Sequence, residues 1–97
     1  MAMHNPPHPG EFIRSVYLEP FGLSARALAE SLVVSPSTLN RVITGKSGIS
    51  PEMALRLSKA LGRSAESWLA MQDHYDLWQA KQKAQLDQVR QVKFAVA

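Results

Sequence analysis

Between residues 25 and 61 apolar side chains recur at spacings of three and four, the period of a helix packed along one side. In 25–32, Ala25, Leu28, Ala29 and Leu32 share a face, while Arg26 and Glu30 point away. In 36–44 the stripe is Leu39, Val42 and Ile43; in 51–61 it is Met53, Ala54, Leu57 and Leu61. Serines punctuate these segments. Ser24, Ser35 and Ser50 each follow an apolar residue and precede a periodic run, the position of a helix N-cap. Leu28 and Leu39 stand where an apolar staple would close on Leu23 and Val34. Pro36 and Pro51 occupy first helical positions, and Gly45 and Gly62 suit C-caps. The pattern predicts five helices, at 10–18, 25–32, 36–44, 51–61 and 65–85. Residues 1–9 form an irregular arm and 10–87 one domain. In 88–97, Val92, Phe94 and Val96 alternate with Lys93 and Ala95, which leaves open a short strand, a frayed helix end or a tail.

The predicted helix at 36–44 carries the chemistry. Opposite its apolar stripe stand Ser37, Asn40, Arg41 and Thr44, where a merely solvated face would hold Glu and Lys. Short hydrogen-bonding side chains and one guanidinium suit base edges in the major groove. The spacing to the preceding helix is a second signal. Ala29 is small enough for a close helix crossing, a tight turn covers Val33 and Val34, and Leu39 and Val42 then follow at helix-turn-helix positions. Val33 departs from that pattern, because a glycine with positive φ usually stands there and a β-branched residue resists that conformation. Either the turn is rearranged or it carries strain.

Charge changes the picture moderately. The chain has 97 residues and a net charge of +3, but no acid lies between Glu30 and Glu52, nor between Glu52 and Glu66. Carboxylates on a face that meets phosphates would repel it. Arg56, Lys59 and Arg63 make a stripe away from the apolar side of 51–61, which reads as a solubility feature. There is no cysteine, which excludes disulfides, thiolate metal sites and a cysteine nucleophile. His4 and His8 are separated by prolines, His74 has no second imidazole nearby, and GKSG at 45–48 lacks the upstream glycine and strand of a phosphate loop. No enzyme, metal site or cofactor is expected. With no apolar run of ~18 residues and no signal-peptide core, a cytoplasmic location is the expectation.

The runs HPGEFI at 8–13, LEPFGLSARALAESL at 18–32, VSPSTLNRVITGKSGISPEMALRLSKALG at 34–62 and SWLAMQDHYDLWQA at 67–80 resemble the antitoxins of HigA type, in the Cro/repressor-like helix-turn-helix superfamily. The resemblance implies an all-α, five-helix Cro/lambda-repressor-like DNA-binding domain with a long C-terminal helix. It implies a homodimer on a palindromic double-stranded operator, repression of its own operon, and a complex with a small HigB-type toxin that cleaves messenger RNA. Family members often carry a polar residue at the places of Ala25 and Pro36, so the base-reading set narrows to Ser37, Thr38, Asn40 and Arg41. Backbone contacts are expected from Ser24, Arg26, Ser35, Thr44, Lys46 and Ser47, which position without specifying sequence. In the last helix Trp68, Met71, Tyr75 and Trp78 form a seam like that of a coiled coil. The dimer interface is placed at Tyr75 and Trp78, with packing inside the monomer an equal alternative for Trp68 and Tyr75. The alternatives are a helical protein-binding adaptor that never touches DNA and a DNA-binding regulator without a toxin partner.

Overall fold

The computed structural model describes residues 5–95, so His4 of the arm and Val96 of the alternating tail lie outside the described residues. Five helices follow in order: α1 (Pro9–Ile13), which runs on as a π-helical turn over Arg14–Leu18, then α2 (Ala25–Leu32), α3 (Pro36–Ile43), α4 (Pro51–Leu61) and α5 (Ala65–Lys83). There is no strand among the described residues. α5 stops two residues short of the expected 85, and residues 84–95 are exposed and irregular.

Each helix starts where a side chain can accept a first-turn amide. Ser24 accepts from the Ala27 N–H, Ser35 from Thr38 and Ser50 from Met53, as the pattern predicts; Ser64 adds a fourth such cap, accepting from Ser67. The first helix differs from expectation. His8, placed in the arm by its surrounding prolines, caps α1 by accepting the Gly10 N–H at Nδ1, 2.9 Å away. The π turn that follows also has no sequence signature. It is marked by the Glu19 N–H reaching back five residues to the Arg14 carbonyl.

The core is one cluster drawn from every helix. Ile13, Leu18, Leu28, Ala29, Leu32, Leu39, Val42, Ile49, Met53, Ala54, Leu57 and Trp68 are its buried members. Leu23 and Val34, the staple partners, pack against it partly buried. Trp68 is wholly buried beside the rings of Phe12 and Tyr17, centroids 5.9 and 6.2 Å away. An aromatic of that size, joined at the first turn of α5, anchors the last helix to α1.

Candidate DNA-reading helix and its supports

α3 divides into two sides as its pattern predicts. Leu39 and Val42 are buried, whereas Ser37, Thr38, Asn40, Arg41 and Thr44 are exposed. Its first turn is organised by hydroxyls. Ser35 Oγ lies 2.8 Å from Thr38 Oγ1 and 3.3 Å from Ser37 Oγ, besides accepting the Thr38 amide. At the other end Thr44 Oγ1 donates to the Asn40 carbonyl at 2.8 Å, which leaves this hydroxyl without a free proton for a phosphate. Ser24 and Arg26 are exposed at the start of α2, Lys46 is exposed beyond α3, and Ser47 is half-buried. Arg26, Arg41 and Lys46 form no ion pair with an acid among the described residues. Their charge is therefore available to an anionic partner.

The turn before α3 settles the question that Val33 raised. Val33 adopts the left-handed conformation, φ 56° and ψ 48°, so the turn is retained with its strain. The Val34 N–H bonds to the Ala29 carbonyl and the Val33 N–H to that of Glu30, each 3.1 Å, the paired bonds that close a helix around a left-handed residue.

Three tertiary contacts hold α3 and the loop after it, and none of them shows in the sequence pattern. The first is Gly10. A Cβ there would stand 1.9 Å from the Val42 carbonyl oxygen, so α1 lies directly on the backbone of α3. The second is Gln72, buried on α5. Its Oε1 accepts the Ile49 N–H at 2.9 Å and its Nε2 donates to Asp76 Oδ1 at 2.9 Å, which ties the loop beyond α3 to α5. That side chain fills the space where a Cβ at Gly48 would come within 2.9 Å of it. The third is His8, whose ring meets Tyr75 edge-on with centroids 4.9 Å apart. Burial holds the His8 imidazole below its ordinary value near 6.5, against the opposing pull of Asp76, a hydrogen bond to the Ser47 backbone, and Glu11. A buried neutral imidazole here touches the arm, the loop after α3 and α5 together. The signals were a histidine immediately before Pro-Gly at a helix start, and a glutamine inside an otherwise apolar seam.

One other expectation changes. The basic stripe on α4 is not merely a solubility feature. Arg56 bonds to the carbonyls that end α2, and the guanidinium carbon of Arg63, just past the end of α4, lies 5.0 Å from the Phe12 ring centroid. Tyr75, placed at a dimer interface, is half-buried against His8 of its own chain; Trp78 is half-buried further along α5.

A buried helix pair, a left-handed turn and an outward polar face on the second helix define a helix-turn-helix protein of DNA-binding type. The helix-turn-helix family model matches residues 16–68, and the chain belongs to that family, in its Cro/repressor-like branch. It is similar to virulence-associated protein I of Dichelobacter nodosus, 51% identical over 78 residues that span 80% of this chain and 72% of that one. It is 37% identical to antitoxin HigA-1 of Vibrio cholerae over 76 residues, 78% of this chain and 71% of that one. Among solved structures, antitoxin GraA in complex with its operator superposes with a TM-score of 0.81 at 38% identity, covering 100% of this chain and 97% of that chain. These relatives make the chain an antitoxin-like DNA-binding protein and not an enzyme. No helix among the described residues is long and apolar enough to cross a membrane.

Proposed function

We propose that this protein is a sequence-specific repressor and the antitoxin of a type II toxin–antitoxin pair. In this reading it represses its own operon from the cytoplasm and neutralises a small HigB-type toxin that cleaves messenger RNA. One observation carries the DNA part: α3 turns Ser37, Thr38, Asn40 and Arg41 outward from a body that anchors it on Leu39 and Val42. Asn and Arg are the side chains that pair bidentately with adenine and guanine edges. Ser24, Arg26, Lys46 and Ser47 take the phosphates on either side, and the free amides at the start of α2 join Ser24 there. Ser35 lies at the same end of α3 and assists through its hydroxyl cluster, whereas Thr44 contributes less because its proton is committed. The antitoxin part is supported by the similarity to HigA-1 and GraA.

The test has two arms. In the first, duplex DNA from immediately upstream of its own gene is titrated at several salt concentrations. Arg41→Ala should weaken that site by about 1–3 kcal/mol while leaving unrelated duplex almost unchanged. Lys46→Ala should weaken all sequences alike and reduce the salt slope by about one. Affinity unchanged by Asn40→Ala combined with Arg41→Ala would refute the site. In the second arm, the neighbouring small basic reading frame is expressed with and without this protein. Growth arrest relieved by co-expression, with the two chains purifying together, is the expected result.

A further inference from the structure

The α2–α3 turn is held from outside by a residue of α4. The two bonds that close α2 satisfy the carbonyls of Ala29 and Glu30. The carbonyls of Leu32 and Val33 lie beyond them, and Arg56 Nη1 donates to both, at 2.8 and 3.2 Å. The same guanidinium is fixed from behind, with Nε and Nη2 donating to Glu52 Oε2 at 3.2 and 3.1 Å. Most of its fork of donors is thereby engaged within the chain. The turn it grips is the strained one. Val33 is left-handed, and its side chain is 79% exposed, so no buried contact offsets the conformation.

We propose that Arg56 is a positioning residue for DNA recognition. It stabilises the unfavourable turn that sets where α3 starts relative to α2, and so where the Ser37–Arg41 face enters the groove, without itself touching DNA. This rests on the DNA-reading role of α3 given above. The geometry has two consequences. A residue that acts through the turn contributes nothing to counterion release, so its loss leaves the salt dependence of binding intact. Relief of the strain at Val33 makes the grip less necessary, so Val33→Gly should compensate for its loss.

The experiment measures anisotropy of a labelled duplex from immediately upstream of its own gene, across a salt series, with thermal denaturation in the same buffers. The chains are wild type, Arg56→Ala, Arg56→Lys, Val33→Gly and the Val33→Gly/Arg56→Ala double variant. With two hydrogen bonds lost, Arg56→Ala should bind about ten-fold more weakly at a temperature where it is fully folded. Its salt slope should equal that of wild type, and the double variant should return to within about three-fold of wild-type affinity. Should Arg56→Ala not fold, Arg56→Lys carries the comparison, because lysine keeps the charge but cannot hold both carbonyls and Glu52 at once. Wild-type affinity in the folded variants would overturn the proposal. So would a salt slope lowered by about one, which marks a direct phosphate contact, or a folded Arg56 variant that Val33→Gly does not rescue. If the wild-type chain binds no duplex in a salt-dependent way, the DNA reading of α3 fails first, a result distinct from these.

Discussion

Val33 and Gly10 represent opposite ways for one residue to control α3. Val33 takes φ 56° with a branched Cβ, a conformation that costs on the order of 1–3 kcal/mol in a non-glycine residue. Because its side chain is mostly exposed, glycine would forfeit little packing there. Val33→Gly alone should therefore raise stability by about 1 kcal/mol in urea denaturation, part of the relief being offset by greater freedom of the unfolded chain. Gly10 is the reverse case. Its φ is ordinary, but a methyl group cannot fit 1.9 Å from the Val42 oxygen, so backbone must move. Overpacking of this kind typically costs about 1–3 kcal/mol. Gly10→Ala should show that loss in the same denaturation experiment, and it should weaken operator binding because the displaced element is α3 itself.

At the scale of elements, His8 joins α1, the loop after α3 and α5. Its Nδ1 accepts the Gly10 amide, which only the neutral ring with its proton on Nε2 can do. Burial depresses its folded pKa below the unfolded value near 6.5. The unfolded chain therefore binds the proton more readily. The stability that His8 contributes is fully present above pH 6.5 and is lost as pH falls through the lower, folded value. Urea midpoints recorded from pH 8 to pH 5 should decline at the acidic end, and His8→Asn, which keeps an N-cap acceptor, should flatten that decline. An equal decline in both chains would assign it to other groups. The same elements explain what the sequence made legible. The spans of α2, α3 and α4 are set by local signals, namely a serine cap and a three-four stripe, with a proline at the first position of α3 and α4, and these are readable residue by residue. The polar face of α3 follows from the same periodicity. The Gly10 approach, the Gln72 latch and the Arg56 grip join residues 23 or more positions apart, or a side chain to a bare backbone. Periodicity carries no information about such pairs. Spacing alone makes Arg56 a solubility residue, because it lies off the apolar stripe of α4, which is true and yet leaves its reach to α2 unseen.

For the whole molecule the open element is α5. Its first turns are committed to the body through Trp68 and Gln72, but from Leu77 onward the described chain is largely exposed, with Leu77, Leu86, Val89, Val92 and Phe94 each more than half accessible. Leu77 lies on α5 and the other four in the irregular segment 84–95; large apolar groups left exposed in this way are the kind of surface a second copy covers. A two-fold pair would present two α3 helices to successive major grooves, ~34 Å apart, so that a palindromic site reads both. Dimerisation through the distal half of α5 would link assembly to affinity, because two linked half-sites bind more tightly than either does alone. Trp78→Glu places a carboxylate on the distal half of α5, ten residues past Trp68 and six past Gln72. The variant should elute as a monomer on a calibrated sizing column and retain the helical circular dichroism of the wild type. It should also lose most of its affinity for a full operator while binding a single half-site as well as the wild-type monomer does. An unchanged dimer would move the interface elsewhere, and a monomer with undiminished operator affinity would mean that the two α3 helices do not act as a pair.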